Sequence, residues 1–151
     1  MMQKILIVDD NEMNRELLER VLARAGYATC SAVDGPSGVA AAQEERPDLI
    51  LMDIALGENM DGWEATELIK SSPETAEIPI IACTAYAQTR DRKKSMDVGC
   101  AEHETKPIDI HRLLKKIEVC LATKDWTRLG GSADSSGSSG TLSRKVRAGR
   151  L

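Results

Sequence analysis

Five side chains of the sequence are suited to metal and phosphoryl chemistry, and each stands at the end of a strand-like run. Asp9 and Asp10 follow the first run, Asp53 and Thr84 end later ones, and Lys106 follows the last. Carboxylates brought together repel one another unless a cation lies among them, and oxygen ligands favour a hard divalent ion such as Mg²⁺. A lysine adds positive charge, and a threonine hydroxyl can donate to a phosphoryl oxygen. The set indicates phosphoryl transfer to a carboxylate.

Apolar runs alternate with helical patterns along the chain, and this predicts the elements that position the five side chains. The predicted strands are 5–8, 28–32, 49–52, 79–83 and 101–104. A helical pattern follows each strand, and the last helix, over 110–121, has the strongest apolar face. Strands alternating with helices predict a doubly wound α/β fold with a parallel sheet. In such sheets ligands gather at the carboxyl ends of the strands, so we expect the five side chains to meet there.

The helix predicted over 88–98 differs from the others because it has few apolar anchors. An element with little buried apolar surface is less firmly held than its neighbours. Since this helix follows Thr84, it is a candidate for an element that switches between two positions.

Each candidate residue also has a purely structural interpretation. Asp9, Asp10 and Asn11 precede a predicted helix, where Asp and Asn are favoured caps. Asp53 could be a turn residue and Lys106 a solvated loop charge, while Thr84 could simply continue its strand. The functional interpretation is favoured because suitable side chains stand at four strand ends in one chain.

Composition excludes several classes of protein. The chain has 151 residues, 42% hydrophobic and 29% charged, with a net charge of −4, which gives no general attraction to nucleic acid. We find neither a signal peptide nor an apolar run of the roughly 20 residues that span a bilayer, so a cytoplasmic location is expected. The four cysteines lack metal-ligand spacing and are predicted to be reduced.

Charge divides the chain into two parts. Residues 1–122 hold 14 basic and 22 acidic residues, a net charge of −8, whereas residues 123–151 hold 6 basic and 2 acidic residues, a net charge of +4. The second part contains a Gly- and Ser-rich stretch over 130–141 that is typical of a flexible linker. We therefore predict a folded domain over 1–122 and a flexible basic tail over 123–151. The sequence does not decide whether that tail is native, a tether or an addition.

Ordered motifs give the sequence a resemblance to a known family. The motifs are Ile5-Leu6-Ile7-Val8-Asp9-Asp10-Asn11, Leu49-Ile50-Leu51-Met52-Asp53, Asp61-Gly62, Thr84-Ala85 and Lys106-Pro107. Over residues 3–121 the sequence resembles the receiver domain of bacterial two-component response regulators, of the stand-alone type. The resemblance implies a flavodoxin-like (βα)5 fold with strand order 2-1-3-4-5.

The resemblance also implies a role for each site residue. Asp53 would accept a phosphoryl group from a histidine kinase or a histidine phosphotransfer protein. Asp10, Asp53 and the backbone carbonyl of Ala55 would bind Mg²⁺ or Mn²⁺, with Asp9 holding the ion through water. Thr84 and Lys106 would contact the phosphoryl oxygens.

Three features depart from the commonest form of the family. Gly57 stands where the family usually has proline, and the loop before Asp61-Gly62 is one residue longer. His103 stands where an aromatic switch residue is usual. We expect His103 to be either an aromatic switch ring that also titrates near neutral pH, or an exposed or half-exposed polar residue on a short edge strand. Tyr86 is expected either to shield the site or simply to pack.

The leading hypothesis is a phosphoacceptor signalling domain rather than an enzyme. The alternative is a phosphatase of the haloacid dehalogenase type, which also uses an aspartate nucleophile. Those enzymes carry a second aspartate two residues later, where this chain has Ala55, and the chain lacks a cap domain. A nucleotide- or flavin-binding protein would need a phosphate loop where Asp9-Asp10 stands. Output is expected through phosphorelay or docking onto a protein partner that the sequence does not identify.

Overall fold

Five strands alternate with five helices in the structure, a computed structural model that describes residues 2–57, 59–85 and 89–128. The strands are β1 Lys4–Val8, β2 Ala28–Ala32, β3 Leu49–Asp53, β4 Ile80–Thr84 and β5 Glu102–Thr105. The helices are α1 Glu12–Arg24, α2 Gly35–Glu45, α3 Gly62–Ser71, α4 Thr89–Asp97 and α5 Ile110–Arg128. Each of the predicted elements is present.

The strands form one parallel sheet in the order β2-β1-β3-β4-β5, which confirms the predicted topology. The central strands are buried on both faces because helices cover the sheet on each side. One core cluster packs Leu6, Met52 and Ala82 against α2 and α3, and the other packs Ile7 and Leu51 against α1 and α5. Alternate residues of a strand therefore face different helices.

Side-chain caps define where the helices begin. The Oδ1 of Asn11 accepts a hydrogen bond from the backbone N–H of Asn14 at the start of α1. Of the three residues considered as possible caps, Asn11 is therefore the helix cap. Asp34 and Asp61 begin α2 and α3 with capping boxes. Neither Asp9 nor Asp10 is a helix cap, which leaves both carboxylates for the strand end.

The sheet and its helices form a compact unit over Met1–Leu121. Helix α5 continues through the boundary predicted after Ala122 and ends at Arg128, because the residues there are mostly compatible with a helix. Residues 129–151 lie outside the described residues, so the flexible tail stays a prediction. Within the described ranges no helix is long and apolar enough to cross a membrane. All four cysteines are free thiols, as expected.

Candidate functional site

Three carboxylates meet at the carboxyl edge of the central strands. Asp9 and Asp10 follow β1, and Asp53 is the last residue of neighbouring β3. One oxygen from each of the three lies within 4.8 Å of the others. Asp9 and Asp53 are each only 4% exposed, whereas Asp10 is exposed to solvent. The sheet thus holds two buried negative charges beside a third that water can reach.

Lys106 supplies the positive charge that faces these carboxylates. Its Nζ lies 3.4 Å from Oδ2 of Asp53 and 3.6 Å from Oδ2 of Asp9. The backbone N–H of Lys106 donates to the carbonyl of Thr84 at 2.7 Å, and the peptide bond to Pro107 is cis. The ladder between β4 and β5 therefore extends to Lys106 and fixes where its side chain begins.

Burial and neighbouring charges shift the pKa values of Asp53 and Lys106. Burial raises the pKa of Asp53 from 3.8 to about 6; Asp9 adds to the rise, while Lys106 and the N–H of Ala55 oppose it. For Lys106, burial alone would lower the pKa, but the carboxylates of Asp53 and Asp9 more than offset it and the pKa is raised. One ammonium thus balances only part of the negative charge.

The turn after β1 holds Asp9 in place. Its Oδ1 accepts from the backbone N–H of Asn11 at 2.9 Å, and its backbone carbonyl accepts from Nη1 of Arg15 at 2.7 Å. These two bonds connect Asp9 to the first turn of α1, so the helix and the turn together orient the carboxylate.

Gly62 lets α3 begin directly against β3. Its N–H donates to the carbonyl of Ile54 at 2.8 Å. A Cβ at this position would overlap the backbone carbonyl oxygen of Asp53 and come within 2.7 Å of Cα of Ile54. Because both are backbone atoms, a larger residue would displace the chain at the candidate acceptor. This explains the Gly62 of the Asp61-Gly62 motif.

The loop between β3 and α3 explains the departure at Gly57. This glycine has φ of +108°, which proline cannot adopt because its ring holds φ near −65°. Leu56 is buried, and the Met60 side chain lies where a Cβ on Gly35 of α2 would be, 2.8 Å from its Cγ. The longer loop is therefore anchored on α2. The N–H of Ala55 donates to Oδ1 of Asp53 at 3.2 Å.

Thr84 ends β4 and is fully buried. The adjacent Ala85 is exposed, and its small side chain leaves room beside the strand end. Tyr86 lies outside the described residues, so its predicted role is not tested. The carbonyl of Thr84 accepts a hydrogen bond from the backbone N–H of Lys106. The two residues predicted to contact the phosphoryl group therefore lie next to each other at the ends of the paired strands β4 and β5.

His103 is on β5, the edge strand, but it is only 4% exposed, so the half-exposed alternative is wrong. It pairs in register with Ala82, which places it on the face covered by α2, α3 and α4. Neither ring nitrogen has a hydrogen-bond partner among the described residues. Burial lowers the pKa of His103, and the cations of Arg92 and Lys116 lower it further. The imidazole is therefore held neutral at pH 7.

Sequence reasoning missed Glu104, a fully buried carboxylate next along β5. It faces α5, where Arg112 donates two short bonds to it, at 3.0 and 2.7 Å to Oε2, and Lys116 Nζ lies 2.9 Å from Oε1. Burial would raise the pKa of Glu104, but these two cations more than offset it and the pKa is lowered. The spacing of Arg112 and Lys116, four residues apart on the predicted helix, was the signal that could have found it.

Comparison with known proteins agrees with this geometry. The chain matches the family model of the response regulator receiver domain over residues 5–118. It is 38% identical over 121 residues to the polar-differentiation response regulator DivK of Brucella anthropi, covering 80% of this chain and 98% of DivK.

Solved structures resemble it as well. Chemotaxis protein CheY4 of Vibrio cholerae aligns with a TM-score of 0.75 and 28% identity, covering 80% of this chain and 99% of CheY4. The receiver domain of sensor histidine kinase PA1611 from Pseudomonas aeruginosa, solved with a magnesium ion in its active site cleft, aligns with a TM-score of 0.74 and 33% identity, covering 81% of this chain and 99% of that one.

These matches do not favour the phosphatase alternative, and they agree with a signalling role. Together with the (βα)5 fold and the acidic strand ends, they assign the function class. The chain belongs to the response regulator receiver domain family, the phosphoryl-accepting signalling domains of two-component systems.

Proposed function

We propose that Asp53 is the residue that accepts the phosphoryl group, from a phosphohistidine on a histidine kinase or a phosphotransfer protein. The observation that carries this proposal is the position of Asp53 between an ammonium group and two further carboxylates. A carboxylate is a competent nucleophile toward phosphorus when nearby positive charge offsets repulsion from the incoming group. Lys106 and a divalent cation would supply that charge.

Asp9, Asp10 and Asp53, with the backbone carbonyl of Ala55, would hold Mg²⁺ or Mn²⁺, with Asp9 acting through water. The donor chemistry supports this: the ligands are hard oxygens, three carboxylates converge, and one lysine balances only part of their charge. The magnesium ion of the PA1611 receiver domain supports it further. When bound, the ion supplies charge that offsets the oxygens of the transferred group.

The protein's own residues would then position the reacting atoms. The carboxylate of Asp53 attacks phosphorus while the donor leaves on the opposite side. Lys106 Nζ, 3.4 Å from Oδ2 of Asp53, is within reach of a phosphoryl oxygen bonded there. The Thr84 hydroxyl would donate to another phosphoryl oxygen. In the transfer an O–P bond forms on Asp53, the N–P bond of the donor phosphohistidine breaks, and the released imidazole takes a proton from solvent.

Output would follow from the new charge at Asp53. The added oxygens would attract the Thr84 hydroxyl and alter the segment that contains Tyr86 and leads into α4. His103 is buried, and neither of its ring nitrogens is bonded to a described residue, so its imidazole could bond to a residue of the altered segment. The altered surface would serve phosphorelay or docking onto a protein partner. Replacing His103 with Tyr is expected to change partner binding, measured by pull-down with phosphorylated protein, and to leave labelling of Asp53 intact.

The central test is incubation with acetyl phosphate and Mg²⁺, followed by intact-mass measurement. We expect one phosphoryl adduct on the wild type and on the matched control Asp97→Ala, an exposed aspartate of α4. We expect none on Asp53→Ala. Absence of an adduct on the wild type, under conditions that label other receiver domains, would refute the proposal. Equal labelling of Asp53→Ala would mean that the acceptor is another residue.

A further inference from the structure

Helix α4 is attached to the rest of the domain by very few buried side chains. Among its described residues, Thr89–Asp97, only Ser95 is buried, and the basic residues Arg90, Arg92, Lys93 and Lys94 are all exposed. Apolar packing therefore contributes little to its position. Particular polar contacts must account for much of what holds the helix in place.

Trp63 of α3 makes such contacts. Its indole Nε1–H donates to Oγ of Ser95 at 2.9 Å, and the ring packs against the core cluster beneath the sheet. The ammonium group of Lys94 lies 4.4 Å from the centroid of the same ring, within the range of a cation–π contact. Two adjacent residues of α4 thus meet one side chain of α3.

The other end of this connection is the candidate acceptor. Trp63 follows Gly62, whose backbone N–H donates to the carbonyl of Ile54 and beside which there is no room for a Cβ against the Asp53 carbonyl oxygen. The capping box between Asp61 and Glu64 holds this first turn of α3 with two reciprocal hydrogen bonds. A short series of contacts therefore connects the backbone beside Asp53 with the hydroxyl of Ser95.

We propose that Trp63 is a positioning residue whose hydrogen bond to Ser95 holds α4 in its unphosphorylated place, so that release of this bond is linked to phosphorylation. The inference rests on the proposed role of Asp53. If α4 moves, the buried Ser95 hydroxyl loses its partner, and this loss opposes the change. Removing the bond in advance must then favour the phosphorylated arrangement, because linkage between two sites is reciprocal.

Beryllofluoride with Mg²⁺, a stable phosphoryl mimic, tests the proposal on the full chain. Its apparent affinity is read from amide exchange of residues 89–97 in wild type, Ser95→Ala, Trp63→Phe and the double variant. Ser95→Ala removes only the acceptor, and Trp63→Phe keeps an aromatic ring for Lys94. Each single variant is expected to bind the mimic about five- to tenfold more tightly, as loss of one hydrogen bond allows. The double variant should bind no more tightly than the better single variant, since both remove the same bond.

Lys93→Gln is the matched control, because Lys93 lies on α4 and pairs only with Asp97 at the surface among the contacts described. We expect its affinity to equal that of the wild type. Unchanged or weaker binding by Ser95→Ala, or additive effects in the double variant, would overturn the proposal. The proposal would also be overturned if the amide-exchange rates of residues 89–97 were the same with and without the mimic, in protein that is still labelled on Asp53. That result would leave the proposed function standing. Failure of Asp53 labelling in the wild type would instead reject the proposed function.

Discussion

Replacing Asp53 with Asn should make the metal-free domain more stable at neutral pH. Asp53 is only 4% exposed, and its carboxylate lies near that of Asp9. Folding therefore removes a charged group from water and sets it beside a like charge, with Lys106 as partial compensation. Asn has nearly the same shape, and its amide oxygen can still accept from the N–H of Ala55. The substitution removes the unfavourable charge with little change in packing.

The magnitude follows from the pKa of Asp53, which is raised from 3.8 to about 6. At about 1.4 kcal/mol for each pH unit, the difference is about 3 kcal/mol. The sign follows from proton binding: between these two values the folded protein holds a proton that the unfolded chain has lost. Stability of the wild type therefore falls as pH rises from about 4 to about 6 and then levels off. The stability of the Asn variant does not fall in this way. It should therefore exceed the wild type in free energy of unfolding by the full amount at pH 7 and by nothing near pH 4.

Urea unfolding in the presence of a chelator, at about pH 7.5 and about pH 4, measures this difference. Asp97→Asn is the matched control, since Asp97 is exposed on α4 and its pair with Lys93 lies at the surface, where ion pairs contribute little to stability. Added Mg²⁺ should stabilise the wild type and reduce the gap, because the ion binds the folded wild type with its full set of carboxylates. A gap that is absent at pH 7.5, or equal at both pH values, would refute the reasoning.

Three further predictions follow from the same contacts. The initial rate of acetyl phosphate labelling should fall as pH drops through about 6, because Asp53 loses its charge. Raising the Mg²⁺ concentration should move the midpoint of this pH profile to a lower pH, and a midpoint that rises with Mg²⁺ would contradict the prediction. Gly62→Ala should destabilise the domain by about 2 kcal/mol or more in urea unfolding, because its Cβ would displace backbone atoms beside Asp53; an unchanged midpoint would show that the helix start can shift freely. Glu104→Gln should lower the free energy of unfolding by about 2 kcal/mol at pH 7. This difference should shrink as pH falls below the usual pKa range of glutamate, because a carboxylate with a lowered pKa stabilises the fold only while it is ionised. The exposed Glu118→Gln is its control and should change stability by under about 0.5 kcal/mol.

The parts of the site that could be predicted from sequence are those set by strand ends. Apolar runs buried on both faces have a clear sequence pattern, and the carboxyl ends of parallel strands meet at one edge. Asp9, Asp10, Asp53 and Lys106 were therefore predictable as neighbours, and the structure brings the three carboxylates and the lysine together. Whether they act as proposed is a matter for the labelling experiment.

The loop after β3 was not predictable in the same way. Its path depends on the positive φ of Gly57 and on the contact of Met60 with α2, and neither leaves a periodic pattern in the sequence. The end of helix α5 was not predictable from its apolar face either, whereas the division into domain and tail stays a prediction. The apolar face predicts the last helix over 110–121, but α5 continues to Arg128. Composition indicates where a linker lies more reliably than where the preceding helix ends.

Strand β5 shows why burial of polar residues is difficult to predict and why it bears on function. Its sequence looks like that of an exposed edge strand, yet His103 and Glu104 are both buried, on opposite faces because side chains alternate along a strand. Glu104 is compensated by two cations of α5, so moving it would break existing ion pairs. Among the described residues, the ring nitrogens of His103 have no hydrogen-bond partner. Of the two, the imidazole is therefore the group that could gain a hydrogen bond without losing one to a described residue, if phosphorylation alters the segment after Thr84 as proposed.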